Sequence, residues 1–208
     1  LPLTALAEDV NYSVDGAEFA GYFAAAEDPK GLVLIVHDWD GMTDYEKRRA
    51  DMLAELGYDA FALDVYGAGN RPDTMEGRRA ATQEAFADRD RLIALVSGGL
   101  ETARGMSDAG LPTTIMGYCF GGTVSLAAAR SGAMADIAGY ASFHGNFPDG
   151  PDWPAETPPI LIMHGGADDN PSMADVATFA AEAEAAEVTY TIEVYSGAPH
   201  AFTVFDSE

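Results

Sequence analysis

Short, unbroken apolar runs alternate with longer stretches of helical character along most of the chain. Such runs predict strands buried on both faces. Strands are predicted over Glu18–Ala24, Leu32–Val36, Ala60–Val65, Thr113–Met116, Ile137–Ser142, Ile160–Met163 and Thr189–Val194. Helices are predicted near Asp44–Leu56, Met75–Val96, Leu100–Ala109, Thr123–Ser131 and Met173–Ala186. This alternation predicts an α/β fold, a mostly parallel central sheet flanked by helices on both faces. In such sheets functional residues gather at the carboxyl ends of the strands. The 208 residues, 48% of them apolar, suffice for one sizeable core, and no linker, repeat or low-complexity tract divides them, so a single domain over 1–208 is expected.

The most specific chemistry lies in Gly117-Tyr118-Cys119-Phe120-Gly121-Gly122, which follows the apolar run Leu111 to Met116 and holds the only cysteine. Glycines around a nucleophile that directly follows a strand and opens a helix are the mark of a nucleophile elbow, here with sulfur in the serine's place. The amino end of the following helix, Thr123 to Arg130, would stabilise a thiolate through its dipole. The competing reading is an inert buried cysteine in a glycine-rich turn. An elbow nucleophile needs a base, and the base an orienting carboxylate, in the chain order nucleophile, acid, histidine. The strand Ile160–Met163 and His164 open into Gly165-Gly166-Ala167-Asp168, making Asp168 the candidate acid. A later strand opens into Ser196-Gly197-Ala198-Pro199-His200, making His200 the candidate base. Each alone is a common loop residue; the order, with each after a strand, makes the signal specific.

Through Gly-Tyr-Cys-Phe-Gly-Gly at 117–122, His-Gly-Gly-Ala-Asp at 164–168, Pro-His-Ala-Phe at 199–202 and His-Asp-Trp-Asp-Gly at 37–41, the chain resembles the dienelactone hydrolase family from about Tyr12 to Phe205. The resemblance implies the α/β-hydrolase fold and a Cys119, His200, Asp168 triad acting on lactones and other small esters. Asp38 falls where the resemblance implies a glutamate that helps ionise the cysteine when substrate binds, here one methylene shorter. The oxyanion hole it implies is formed by the backbone amides of Phe120 and Trp39. An arginine that would hold a substrate carboxylate after the catalytic histidine is replaced by Val204. A second such arginine corresponds to Arg78 or Arg79, whose alternative is two solvated helix charges.

The implied chemistry is two-step acyl transfer through an acyl-thioester, with water activated by His200 releasing the acid. A free cysteine, with a pKa of about 8.5, is little ionised at neutral pH, so a neighbouring imidazolium and a helix amino end are the means of forming the thiolate. Thiolate leaves easily, which favours activated esters, enol esters and strained lactones over peptides. Against 34 acidic residues stand 11 basic ones, a formal net charge of −23 that repels anionic ligands. A neutral small-molecule ester or lactone is therefore the expected substrate. The same acidity, with Lys30 and Lys47 the only lysines, argues against nucleic-acid binding and hints at a salty habitat. No apolar run is long enough for a membrane helix.

Around the triad, His37, Tyr66, Tyr140, His144 and Phe202 are candidate pocket residues, each with ordinary packing or a hydrogen-bonded loop position as its alternative. His164 reads as support for the Asp168 loop. No His-Glu-x-x-His or similar pattern occurs, so no metal and no cofactor is expected. Ala5-Leu6-Ala7 fits the small-x-small pattern before a signal-peptidase cut, suggesting a periplasmic or secreted protein, with a cytoplasmic one as the alternative. The chain stops eight positions after His200, where hydrolases of this kind carry a further helix; truncation, or cover by a small homo-oligomer in place of a monomer, would account for it. The rival functions are a general carboxylesterase without lactone preference and a catalytically idle thiol sensor or ligand-binding member of the fold.

Overall fold

The computed structural model describes residues 7–108 and 110–205. Ala5, Leu6 and Glu208, on which the export and truncation readings rest, lie outside the described residues. The chain divides into two compact units, residues 1–114 and 115–208.

The first unit carries β1 (Ala7–Val14), β2 (Ala17–Ala24), β3 (Leu32–Val36), α1 (Asp44–Glu55), β4 (Asp59–Leu63), α2 (Met75–Ala87) and α3 (Arg89–Met106). Its strands run in the order β1-β2-β4-β3, the first two pairings antiparallel and β3/β4 parallel. Every residue of β3 (LVLIV) and β4 (DAFAL) is buried. Successive side chains of a strand point to opposite faces, so both faces are covered there; α1 and α3 each pack against both strands. The one charged residue in these runs, Asp59, has both oxygens satisfied, by the Ala26 N–H (2.9 Å) and the Ser107 hydroxyl (2.5 Å).

Two features of this unit escape the sequence pattern. The first is β1, whose residues AEDVNYSV alternate but bury only Tyr12; it ends the strand order, pairs on one side, and carries a correspondingly weak apolar signal. Tyr12 fixes it by donating to the Asp64 carbonyl (2.8 Å) and accepting from the Asp64 N–H (3.1 Å), and burial pushes its phenol well above the ordinary range. The second is the division of the helices. The predicted break near residues 97–99 is absent, and the break falls instead at Asp88, whose carboxylate caps α3 by accepting the Arg91 N–H at 3.0 Å. Gly98 lies inside α3 because a Cβ there would stand 2.4 Å from Cγ2 of Val14. Glycine costs about 1 kcal/mol of helix propensity, and here it permits the close approach of α3 to β1.

The second unit begins within β5 (Thr113–Tyr118) and continues through α4 (Phe120–Ser131), β6 (Ile137–Phe143), β7 (Ile160–Gly165), α5 (Met173–Ala185) and β8 (Tyr190–Tyr195). Its strand order is β5-β6-β7-β8, with β6/β7 and β7/β8 parallel. Ile115, Val124, Leu126, Ile160, Ile162, Val176 and Phe179 are buried in its core. A capping box starts α5, where the Asp175 carboxylate accepts the Ser172 N–H at 2.7 Å. The strands after the first lie within two residues of their predicted limits, because each is a short apolar run ended by turn residues.

Candidate active site

Cys119 sits between the last residue of β5 and the first of α4, with φ 50° and ψ −111°. A side chain at positive φ costs on the order of 1–3 kcal/mol and persists only where its surroundings impose it. Here the Cys119 N–H donates to the Phe143 carbonyl at 2.9 Å, and the Cys119 carbonyl accepts both the N–H (3.1 Å) and the hydroxyl (3.2 Å) of Thr123. A Cβ on Gly117 would lie 2.2 Å from the carbonyl carbon of Gly121, so the turn admits no side chain there. The half-buried thiol is thereby held at the amino end of α4, where the helix dipole favours negative charge.

The acid and base come from the loops after β7 and β8, which are laced together. Gly166 N–H donates to the Tyr195 carbonyl (2.8 Å) and Ala167 N–H to the Ala198 carbonyl (2.9 Å). Asp168 is 5% exposed, and its oxygens are divided: Oδ1 accepts the Asn170 N–H at 2.9 Å, and Oδ2 lies 2.7 Å from Nδ1 of His200. The other ring nitrogen of His200, Nε2, lies 3.3 Å from Sγ of Cys119. With Nδ1–H committed to a carboxylate, Nε2 is left as the acceptor facing the thiol. Beneath this chain His164, 1% exposed on β7, is held below the ordinary imidazole range chiefly by burial.

His144 is brought closer to this group than the sequence indicates. It follows β6 at φ 43°, is 1% exposed, pairs Nε2 with the Thr203 hydroxyl (2.8 Å), and packs edge to face against His200, ring centroids 5.1 Å apart. One donor atom each from Cys119, His144 and His200 lie within 4.8 Å of one another. Thr203 carried no signal; only the fold sets it opposite residue 144. Phe202 is half-buried against His144 and Tyr195. Tyr140 lies mid-strand in β6 among the buried core residues, 3% exposed, and burial pushes its phenol up to about 12.

The remaining candidates belong to the first unit. His37 is fully buried and both ring nitrogens are used: Nδ1 donates to the Asp38 carbonyl (2.6 Å) and Nε2 accepts the Val65 N–H (3.2 Å). Of its two sequence readings, the hydrogen-bonded strand end describes it. Glu46, also fully buried, organises the loop after β3 by accepting the N–H groups of Asp38 (3.2 Å) and Thr43 (2.9 Å). Within that loop the Asp38 carboxylate accepts the Trp39 N–H at 2.5 Å. Tyr66 packs on His37 and donates to the Trp39 carbonyl (3.3 Å). Arg78 lies over the Trp39 ring and 3.7 Å from the Asp40 carboxylate, whereas Arg79 is exposed on α2.

Comparison with known proteins gives these features a lineage. A putative carboxymethylenebutenolidase of Methylorubrum extorquens is 28% identical over 193 residues, 84% of this chain; the chain spans 64% of that relative's length. A probable 2-oxo-3-(5-oxofuran-2-ylidene)propanoate lactonase of a Bradyrhizobium species is 27% identical, covering 82% of this chain and 72% of the relative. Among solved structures, m3DLH superposes with a TM-score of 0.88 at 28% identity, covering 97% of this chain and 86% of its own. An α/β hydrolase from a deep-sea metagenome, at 13% identity and TM-score 0.64 over 99% of this chain and 87% of its own, shares the fold alone. The fold is thus the α/β-hydrolase fold, and, with the dienelactone hydrolase family profile matching residues 19–208, the chain belongs to that family.

Proposed function

We propose that this protein hydrolyses small lactones or activated carboxylic esters with Cys119 as nucleophile, His200 as general base and then acid, and Asp168 orienting the imidazole. The observation that carries the reading is the continuous chain from the Asp168 carboxylate through both nitrogens of His200 to Sγ of Cys119, at 2.7 and 3.3 Å. The lactonase and butenolidase names of its relatives support the same class of substrate.

In the first step Nε2 of His200 takes the thiol proton, Sγ attacks the carbonyl carbon, and the carbonyl π electrons move to oxygen. Collapse expels the alkoxide or enolate, which takes the proton back from His200 and leaves an acyl-thioester on Cys119. Water, deprotonated by His200, then attacks the thioester, and thiolate leaves with its electron pair. The backbone amide of Phe120, next after the nucleophile, would receive the developing oxyanion, a donor worth about two to three orders of magnitude in turnover. With Val204 following the histidine loop and a net charge of −23, a neutral substrate is favoured.

The deciding experiment is hydrolysis of an activated phenyl ester and of an enol lactone by the intact chain and by Cys119→Ala, with the acyl adduct sought by mass spectrometry. Turnover and a Cys119 adduct, both lost in the variant, are expected, and the lactone-to-ester ratio separates a lactonase from a general carboxylesterase. Rapid thiol modification without turnover of either substrate would sink the hydrolase reading in favour of a thiol sensor.

A further inference from the structure

We infer that Cys119, His144 and His200 form a binding site for one thiophilic divalent cation, with Zn²⁺ the best match. The hydrolytic reading needs no donor from His144, yet the fold brings it, almost fully buried and at a strained positive φ, to within 4.8 Å of the sulfur and the catalytic imidazole. One thiolate and two neutral imidazoles suit zinc in both softness and number, because open zinc sites use three protein ligands and leave the fourth position to water. Bond lengths of about 2.3 Å to sulfur and 2.0–2.1 Å to nitrogen put the donors of a tetrahedral site roughly 3.5 Å apart. The His200 Nε2 to Cys119 Sγ distance, 3.3 Å, is already of that size. The surroundings match as well. A metal-bound imidazole characteristically gives its other N–H to a carboxylate, and His200 Nδ1 faces Asp168 at 2.7 Å.

Binding forms a metal–sulfur bond as the thiol proton leaves to solvent, and each imidazole gives a nitrogen lone pair; nothing is oxidised or reduced. The cation would occupy the lone pairs of Sγ and of Nε2, the nucleophile and the base of the proposed reaction. It therefore acts as a reversible blocker and not as a cofactor, a consequence that rests on the hydrolase reading although the site itself does not.

The test is titration of the intact chain with Co²⁺ as a spectroscopic substitute for Zn²⁺. Cys119 is the only thiol, so a thiolate-to-cobalt charge-transfer band reports this site alone, undisturbed by cobalt on surface carboxylates. The band is expected to saturate at one Co²⁺ per chain and to disappear on addition of Zn²⁺ or in Cys119→Ser. His144→Gln should weaken binding by at least about 10-fold, and Asp168→Asn by about 10–100-fold, as loss of an outer-sphere partner does. Zn²⁺ protection of Cys119 from alkylation in the unaltered chain provides a readout that needs no variant to fold. Absence of both the band and the protection, or unchanged affinity in a folded His144→Gln chain, overturns the site. Ester turnover in metal-free protein with no band leaves the hydrolase reading and removes this one; a band without metal-free turnover does the reverse.

Discussion

Asp168 divides its two oxygens between the Asn170 N–H and His200, and this makes its substitution informative. In Asp168→Asn the side-chain carbonyl can still accept from Asn170, but the amide NH₂ then faces Nδ1. The imidazole is driven to the tautomer with its proton on Nε2, pointing at the sulfur it should deprotonate. Turnover is expected to fall by about 10⁴-fold, the size of the tautomer effect in a serine triad, with little change in thermal unfolding. A drop of less than tenfold would deny Asp168 this role. His164 gives a second prediction. Its folded-state pKa lies below the unfolded value of about 6.5, so protonation favours the unfolded chain and stability is lost as pH falls from there toward the folded value. His164→Gln should flatten that part of the melting-temperature profile relative to the parent. The three triad candidates were legible in the sequence because each follows a strand and their order is characteristic. The Thr203 contact of His144 was not, since it joins residues far apart in the chain that no local pattern relates.

At the level of elements, the passage from β5 to α4 is tightly constrained by its own backbone. The atoms nearest a Cβ on Gly117 are all backbone of Gly121, so the helix start itself, not a flexible side chain, would have to move. Gly117→Ala is expected to cost about 1–3 kcal/mol or more, the usual range for overpacking, and to lower turnover beyond what the stability loss explains, because it displaces Cys119 from His200. Thermal unfolding beside ester turnover checks both; a variant with parental stability and activity would show that the turn is looser than its geometry. The same comparison explains why some elements were readable. Runs such as LVLIV and ILIM read as strands because they are too short for a helix and are closed by turn residues, and in LVLIV every position is buried on one face or the other. By contrast, β1 hides one tyrosine and announces little. The glycines at 98 and 99 signal a helix break in sequence, yet contact with Val14 and Leu63 makes them part of a continuous α3.

Across the whole chain, a net charge of −23 acts on both stability and substrate choice. Self-repulsion among 34 acidic groups opposes compactness, and salt shortens its reach from about 10 Å at 0.1 M to about 3 Å at 1 M. The melting temperature should therefore rise as NaCl is raised over that interval. The same field should act on catalysis according to the charge of the substrate. An ester carrying a carboxylate approaches against the potential, and no arginine stands at position 204 to receive it; its neutral isostere feels little of either. Raising salt should increase kcat/KM for the anionic ester by a few-fold to about 10-fold, as screening of a surface potential allows, and leave the neutral one nearly unchanged. The ratio of the two is the quantity to measure, since it cancels any effect of salt on the enzyme itself. If both substrates respond alike, net charge does not select the substrate. If the anionic ester is the better substrate even at low salt, a local cation, with Arg78 beside Trp39 the first to replace, outweighs the field of the whole protein.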